Sequence, residues 1–350
     1  MTILIQTISK DFHAAAVLAA LGDIDIPTVL SIGTDVPVKQ SYSYQIDGDS
    51  ESLSISRGDF SYNVDESIGV IWSRRAQLCS LTNIHPDDKE FVDREISLFL
   101  EGFWSKTGPR TKWINPWKSR VLANTKVFQL AAARAAGFVV PQTLISNSPH
   151  EIRRFAEKLG EGNVVFKTIS PTSWELPSGG VAVTPAVLFP VNLLENAASL
   201  QSCPGIYQEL IRRKNEYRVT VMGDRVYAVR IDIPFRERDI DWRQHYDVMA
   251  LVEIDLPESV DDSCRKILGH LNLRFGCIDI IEDQEGNWNF LEINEMGQFL
   301  WIEEINPDAR YLEYFIRFLL LEYGSSQKFS GKLSEVRKTS IFRDFMGCPQ

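Results

Sequence analysis

Two neighbouring stretches near the end of the chain decide its fold: residues 277–281 read CIDII, and residues 287–294 read NWNFLEIN. Both are short and rich in β-branched and aromatic residues, so they predict two strands joined through the turn EDQEG. Side chains alternate along a strand, which places Glu292 and Asn294 on one face. If the strands pair, Asp279 faces the same way. Three hard oxygen donors on one sheet face suit Mg²⁺, although the pattern also fits polar residues on the solvated face of a hairpin.

A lysine inside an apolar strand is the second informative feature. Residues 163–168 (NVVFKT) predict a buried strand that carries Lys167. Burying an unpaired ammonium is unfavourable, so a phosphate is a natural counter-charge; a lysine at the edge of the strand is the alternative. Lys126, in the helix predicted over residues 124–136, is a second candidate, or else an ordinary exposed helix lysine. Because Mg²⁺ bridges substrate phosphates, a nucleotide would complete the set.

Two further segments fit a nucleotide, although each is a weak signal alone. Residues 178–180 (SGG) follow the lysine strand and could close over phosphates through their backbone N–H groups. Residues 208–211 (QELI) end a predicted strand, where backbone N–H and C=O groups could contact the edge of an adenine.

Three arginines could handle negative charge on a substrate. Glu216 and Arg218 alternate on the strand predicted over residues 216–221. Arg230 lies on the hairpin partner of that strand, and Arg243 follows further along the chain. Arg230 and Arg243 could hold a carboxylate or a developing phosphate charge. The alternative is a surface ion-pair network with Asp232, Glu237 and Asp239.

Length, charge and cysteines narrow the class of protein. The 350 residues predict two to three domains, and 44% hydrophobic with 24% charged residues describes an ordinary globular chain. The net charge of −10 argues against general nucleic-acid binding, while the basic segment 102–126 is either a local positive field or a solvated connector. The five scattered cysteines indicate free thiols. With no signal peptide and no apolar stretch of about 20 residues, we expect a cytoplasmic protein without a membrane span.

Several common catalytic signatures are absent from the sequence. Residues 162–168 approach the phosphate-binding pattern G-x-x-x-x-G-K-[ST], but Phe166 replaces the required glycine. No G-x-G-x-x-G follows a strand, no H-E-x-x-H or G-x-S-x-G occurs, and the five histidines are dispersed. P-loop, dinucleotide, zinc and serine chemistry are therefore poor candidates.

The order of predicted elements indicates an α/β protein built from α+β lobes. The first part reads strand, helix, strands and helix, which is typical of a small layered domain. We expect an α/β domain over residues 1–118, a small central lobe over 119–204, a C-terminal lobe with the metal site over 205–324, and a polar tail over 325–350.

The order of these features resembles the ATP-grasp superfamily. The resemblance is closest to the peptide macrocyclases of the microviridin or graspetide type, which make ω-ester or ω-amide cross-links, and it spans about residues 1–322. The strings that carry it are WSRR at 72–75, WINP at 113–116, PQTLISN at 141–147, DWR at 241–243 and FLEINEMGQF at 290–299.

The resemblance implies an ATP-grasp fold with an N-terminal pre-ATP-grasp domain and ATP held between the last two lobes. It also implies an ATP- and Mg²⁺-dependent ligase that activates Asp or Glu side-chain carboxylates of a ribosomal precursor peptide as acyl phosphates. A Lys, Ser or Thr side chain of the same peptide then displaces phosphate and closes a macrocycle. The leader segment of the peptide binds separately, which raises the local concentration of the core. A homodimer is a further expectation from the family.

The candidate site combines the residue patterns with this resemblance. The predicted metal ligands are Asp279, Glu292 and Asn294. The predicted ATP-binding residues are Lys126, Lys167, Ser178, Gly179, Gly180, Gln208, Glu209, Leu210, Ile211 and Glu216. The residues expected to handle the substrate carboxylate and phosphate are Arg218, Arg230 and Arg243.

The sequence departs from the family pattern at two places. Residues 294–299 read NEMGQF where many relatives read Asn-Pro-x-Gly-Gln-Trp, which is more similar to the lactam-forming branch. Ala76 follows Arg74 and Arg75 where relatives often carry proline, so the role of the arginine pair stays open. Two other functions also stay open: a ligase that adds a free amino acid to a peptide or protein, and a catalytically silent peptide-binding module.

Overall fold

The chain is described by a computed structural model that covers residues 1–75, 84–170, 185–233 and 248–324, with the backbone alone for 173–175 and 181–183. The predicted polar tail over 325–350 lies outside these residues. Within the part of the chain that the structure describes, no helix combines the length and apolar character needed to cross a membrane.

The N-terminal part forms two sheets flanked by helices. Its elements are β1 (Thr2–Thr7), α1 (Phe12–Asp23), β2 (Thr28–Ile32), β3 (Gln40–Asp47), β4 (Ser50–Arg57), β5 (Phe60–Asn63), α2 (Val64–Ser67), β6 (Ile68–Ser73), α3 (Lys89–Ser105) and β7 (Lys112–Ile114). Strands β2, β1, β6 and β7 form a parallel sheet in that order, and β3, β4 and β5 form an antiparallel one. Asp11 caps α1 by accepting from the Ala14 N–H. The predicted order of strand, helix, strands and helix is confirmed.

The middle of the chain contributes two connecting helices and a second sheet. Its elements are α4 (Trp117–Ala123), α5 (Lys126–Ala136), β8 (Thr143–Ser146), α6 (Pro149–Leu159), β9 (Val164–Lys167), β10 (Ser173–Glu175), β11 (Val181–Val183), β12 (Val187–Leu188), α7 (Ala197–Ser202) and β13 (Gly205–Glu209). Strands β12, β9, β13 and β8 form an antiparallel sheet in that order. Its small core contains Ile152, Val164, Phe189, Leu200 and Tyr207.

The C-terminal part is built around a five-stranded antiparallel sheet. Its elements are β14 (Arg213–Met222), β15 (Arg225–Asp232), β16 (Ala250–Ile254), α8 (Glu258–His270), β17 (Phe275–Asp283), β18 (Trp288–Asn294), α9 (Leu300–Ile305) and α10 (Tyr311–Tyr323). The strand order is β16, β15, β14, β17, β18. One face packs on α5 and α8 through Val219 and Ile278. One end of the other face packs on α10, where Phe275 contacts Phe315.

Two elements group with a different lobe from the one predicted. The predicted limit between residues 204 and 205 puts β13 in the C-terminal lobe, but β13 pairs with β8 and β9 in the central sheet. Helix α5, predicted within the central lobe, packs on α8 and β18 instead. Local sequence patterns identify a strand or a helix but do not show which element it packs against. For this reason the predicted lobes of β13 and α5 differ from the observed ones. From these contacts we propose that the central lobe spans residues 143–209.

Candidate active site

Three charged side chains form a row across the large sheet. Arg218 of β14 lies directly opposite Asp279 of β17, and Asp279 lies directly opposite Glu292 of β18. Residues that face each other across antiparallel strands point to the same side. Asn294 lies opposite Cys277, two positions along both strands, and so shares that face. The predicted common face of Asp279, Glu292 and Asn294 is confirmed.

The hairpin of β17 and β18 contains a β-bulge. Asp279 pairs with Glu292, but the next residue, Ile280, pairs with Phe290, so Leu291 is the extra residue. In a regular strand, Phe290 and Ile293 would point to opposite faces because they are three positions apart. The extra residue turns both side chains to the same face, where they pack into the core under α5 and α8. Simple alternation along the strand does not predict this irregularity.

Arg218 and Asp279 form a buried ion pair. Arg218 Nη1 donates to Asp279 Oδ1 at 2.7 Å, and its Nη2 donates to the Gln298 carbonyl at 3.1 Å. Burial alone would lower the pKa of Arg218, but the Asp279 carboxylate outweighs it and raises that pKa above its usual value. The guanidinium therefore stays charged beside the predicted metal ligand.

Two lysines from different parts of the chain meet the same face. Lys126, the first residue of α5, donates to Glu292 Oε2 at 2.7 Å. Lys167, the last residue of β9, donates to Gln208 Oε1 at 2.7 Å. Burial lowers the pKa of Lys167, Glu292 counteracts that change, and Lys126 lowers the pKa further. The ammonium group of Lys167 therefore lies close enough to Glu292, a member of the row, to interact with it electrostatically.

Glu216 lies on the same face of β14 as Arg218, two residues earlier, and is buried. Its carboxylate binds the guanidinium of Arg213. Glu216 also raises the pKa of Lys167, so its carboxylate lies within electrostatic reach of that ammonium group. The predicted residue is therefore brought to the site.

Part of the segment 208–211, which was predicted to contact adenine, forms hydrogen bonds with other residues of the protein. Gln208 is buried, and its side chain holds Lys167 while donating to Thr143 Oγ1 at 3.0 Å. The Glu209 N–H donates to Gln142 O at 2.8 Å, and the Leu210 N–H donates to the Asn163 carbonyl at 2.9 Å. Ile211 lies two residues beyond the end of β13. Gln208 and these two N–H groups therefore position the strand end and Lys167.

Arg230 is not brought together with the other predicted residues. It lies opposite Tyr217, so it faces the α8 side of the sheet rather than the side of Arg218. Its guanidinium binds Asp232 with two hydrogen bonds of 2.7 and 2.9 Å. The ion pair with Asp232 that the sequence left open as the alternative is the one present.

Four other predicted site residues lie outside the described part of the chain. They are Ser178, Gly179, Gly180 and Arg243. Their roles stay predictions.

The segment after Asn294 is held by a buried polar network that the sequence analysis missed. The buried carboxylate of Glu295 accepts from Asn124 Nδ2 at 2.8 Å and from Arg120 Nε at 3.3 Å. Asn115 Nδ2 donates to the backbone carbonyls of Glu295 and Phe275. Asn115 and Arg120 come from the basic segment 102–126, for which the sequence left open a local positive field or a solvated connector. Two sequence features could have indicated this network: the Asn115-Pro116 pair, and Glu295, which directly follows the predicted metal ligand Asn294.

The N-terminal domain holds the same segment from the other side. Arg74 is fully buried, lies 3.6 Å from Asp11 and donates to the Met296 carbonyl at 3.3 Å. Burial lowers the pKa of Arg74 to about 10, against the effect of Asp11. His13 Nε2 accepts from the N–H groups of Phe299 and residue 300. The open question about the arginine pair has a partial answer, because Arg74 links the first domain to the segment that follows Asn294.

The donor set fits Mg²⁺ bound together with a nucleotide. Among the described residues, no three His, Cys, Asp or Glu side chains converge as a metal site. Asp279, Glu292 and Asn294 instead supply two carboxylates and an amide on one face. Mg²⁺ is commonly held by one or two carboxylates plus substrate phosphates, so a triphosphate would supply the missing oxygens. The nearby ammonium groups of Lys126 and Lys167 suit those phosphates.

Comparison with known proteins shows which solved structures share this fold. No family model matches the chain, and no curated protein matches it in sequence. The macrocyclase MdnC from Microcystis aeruginosa MRC, bound with precursor peptide MdnA, has a TM-score of 0.80 at 24% identity, covering 92% of this chain and 100% of its own. A RiPP-associated ATP-grasp ligase from Chryseobacterium gregarium, in complex with ADP and a leader and core peptide, has a TM-score of 0.77 at 23% identity, covering 95% and 97%.

The fold is that of the ATP-grasp ligases, so the predicted fold class is confirmed. The macrocyclase MdnB from Microcystis aeruginosa MRC is a further neighbour, with a TM-score of 0.76, 25% identity, and 91% and 99% of the two chains covered. The resemblance to peptide macrocyclases and ligases of the graspetide type is likewise confirmed by these neighbours, which cover most of the chain.

Proposed function

We propose that this protein is an ATP- and Mg²⁺-dependent ligase that cross-links a ribosomal precursor peptide. It activates Asp or Glu side-chain carboxylates of the peptide as acyl phosphates and joins them to Lys as ω-amides, or to Ser or Thr as ω-esters. The observation that carries the proposal is the row of Arg218, Asp279 and Glu292, with Asn294 on the same face and Lys126 bound to Glu292.

The chemistry of the reaction explains why these residue types are needed. A carboxylate is unreactive toward amines and alcohols until one of its oxygens becomes a leaving group, and phosphorylation provides one. Bound Mg²⁺ would offset charge on the phosphates during transfer. Asp279, Glu292 and Asn294 would hold that cation, while Lys126 and Lys167 would bind the phosphate oxygens.

Arg218 is suited to bind the carboxylate that is activated. Its guanidinium is buried and permanently charged, and Asp279 and the Gln298 carbonyl orient it on the face of the sheet that carries Glu292. A fixed guanidinium recognises carboxylate and phosphate oxygens with directed hydrogen bonds. Arg243, predicted for the same task, stays a prediction.

The peptide partner is supported by what the neighbours were crystallised with. MdnC was bound with a precursor peptide, and the Chryseobacterium ligase with a leader and core peptide. A further neighbour, the ATP-grasp ligase PsnB, was complexed with a variant of its minimal precursor, Mg and ADP. By analogy we propose a leader-bearing precursor with an acidic core for this chain. The cytoplasmic location and the homodimer stay predictions.

Co-expression with the short peptide encoded next to the gene tests the proposed reaction. Mass spectrometry should show the loss of one water for each link formed. If the acceptor carboxylate carries labelled oxygen, one labelled atom should appear in the released phosphate, because the acyl phosphate breaks at the carbonyl carbon.

A matched pair of variants controls this experiment. Glu292→Gln should prevent linking, whereas Glu285→Gln, the same change in the exposed turn of the same hairpin, should not. A mass gain in place of a loss would indicate addition of a free amino acid. An unmodified peptide with no ATP consumption would support a silent binding module and contradict the proposal.

A further inference from the structure

Gln129 is a buried amide on the helix that carries Lys126. It lies one turn after Lys126 in α5 and has 2% of its surface exposed. Gln129 Oε1 accepts from the Ile293 N–H at 3.3 Å, and its Nε2 donates to the Ile293 carbonyl at 2.9 Å and also to the Ala123 carbonyl. One side chain therefore satisfies both backbone groups of a single strand residue.

That strand residue lies on the outer edge of the sheet. Strand β18 is the last in the order, so its outward N–H and C=O groups have no further strand beside them. Near its start, Val139 takes that place: the Val139 N–H donates to the Trp288 carbonyl, and the Phe290 N–H donates to the Val139 carbonyl. Gln129 does the same for Ile293 near the end of the strand, with a side-chain amide in place of a backbone amide.

The position of Ile293 links this contact to the predicted metal ligands. Ile293 stands between Glu292 and Asn294, two of the three predicted metal ligands. Fixing the Ile293 peptide groups fixes the backbone from which both neighbouring side chains project. Gln129 Oε1 also lies 3.5 Å from Lys126 Nζ, whose ammonium binds Glu292 at 2.7 Å.

We propose that Gln129 is a positioning residue for the Mg²⁺–nucleotide site. It acts through the peptide groups of Ile293 and touches neither the cation nor the phosphates. This inference rests on the proposed function, since it assigns Glu292 and Asn294 as metal ligands. Residues that orient metal ligands commonly change metal affinity about 10- to 100-fold when replaced.

The test replaces Gln129 by Met, which keeps the length of the side chain and removes its hydrogen bonds to Ile293 and Ala123. Binding of the non-hydrolysable analogue AMP-PNP is measured by calorimetry while Mg²⁺ is titrated. We expect Gln129→Met to raise the Mg²⁺ concentration needed for half-maximal binding about 10-fold or more. Without Mg²⁺, its affinity for AMP-PNP should remain within about twofold of that of the wild type, because no contact to the nucleotide is lost.

A matched variant on the same strand separates positioning from general loosening. Asn289 is buried on β18 and hydrogen-bonds through its amide to Asp283 and Asn287, at the end of the strand away from Glu292. Asn289→Leu should lower stability to urea but leave the Mg²⁺ requirement unchanged. If Gln129→Met does not fold, Gln129→Glu, which keeps the acceptor for Ile293, is measured in the same titration with the same expectation.

The outcomes distinguish the two claims. An unchanged Mg²⁺ requirement in both Gln129 variants, beside a wild type whose binding depends on Mg²⁺, overturns the positioning role alone. An equal increase in Asn289→Leu overturns it as well. If wild-type binding of AMP-PNP does not depend on Mg²⁺, the proposed function fails and this inference falls with it.

Discussion

Asp279 and Glu292 lie directly opposite each other on neighbouring strands, yet their surroundings differ. Asp279 is buried and paired with the equally buried Arg218. Glu292 is about a quarter exposed and is paired with Lys126, whose side chain is 16% exposed. We therefore expect Asp279 to stabilise the fold in addition to its proposed role as a metal ligand, whereas Glu292 can exchange Lys126 for another cation with little loss of stability.

Removing each carboxylate should separate these roles. Asp279→Ala leaves the Arg218 charge buried without its partner, so we expect it to lower the free energy of unfolding by about 3–5 kcal/mol. Glu292→Gln breaks a partly exposed pair and should change that free energy by less than about 1 kcal/mol. Urea unfolding followed by circular dichroism measures both. Equal losses in the two variants would contradict the distinction.

The role proposed for Asn294, the amide on the same face, is tested separately from stability. Asn294→Ala removes one of three oxygen donors and should reduce linking of the precursor peptide at least about 100-fold. Its urea midpoint should stay close to that of the wild type. A variant that links the peptide at the wild-type rate would remove Asn294 from the site.

His13 should make stability depend on pH. Burial, together with Arg74, Arg75 and Arg218, lowers the pKa of His13 well below its usual value of 6.5, and its neutral ring accepts two backbone N–H groups. The unfolded chain takes up this proton near pH 6.5, whereas the folded chain does not. The stabilisation is therefore complete above that pH and is lost as the pH falls toward the folded pKa.

The expected slope is about 1.4 kcal/mol per pH unit below pH 6.5. His13→Gln, which keeps an acceptor but does not titrate, should lose this part of the slope. Urea unfolding of both proteins at about pH 7.5 and about pH 5.5 measures the difference. Parallel losses in the two proteins would show that His13 is not the group responsible.

At the scale of elements, local patterns predicted strands and turns well and pairing partners poorly. The β17–β18 hairpin follows from short β-rich runs around a glycine turn, and its common polar face follows from alternation. The bulge after Asp279 breaks that alternation and has no local signal. The face of Arg230 was in principle predictable. The two-residue turn after Met222 pairs Met222 with Arg225, and therefore Tyr217 with Arg230.

Gly297 in the segment after β18 gives a prediction at this scale. Its φ is +58, and a Cβ there would lie 2.3 Å from a ring carbon of the buried Phe275. Gly297→Ala should therefore cost about 1–2 kcal/mol in backbone strain and about 1–3 kcal/mol in overpacking. Gly286, with φ +84 and no described atom within 4 Å of its Cβ position, is the matched control and should show only the strain. Similar losses in urea unfolding would contradict the packing argument.

At the scale of the molecule, contacts between distant parts of the chain hold the site. Asn115 binds the backbone of Phe275, and Arg74 binds that of Met296, across 160 and 222 positions of sequence. Such pairs join residues that are far apart in sequence, so composition and periodicity cannot predict them. The family resemblance supplied the arrangement of the lobes, whereas the residues that join them emerged only from the structure.

The central claim is that the row on the large sheet and the two lysines together hold a nucleotide triphosphate with Mg²⁺. Calorimetric titration with AMP-PNP, in Mg²⁺ and in EDTA, tests it most directly. We expect Mg²⁺-dependent binding that Lys167→Met and Glu292→Gln each weaken about tenfold or more, since each removes a charged contact. Lys266→Met, on the exposed face of α8, should bind like the wild type. Binding that is indifferent to Mg²⁺, or unchanged in Lys167→Met and Glu292→Gln, would contradict the account.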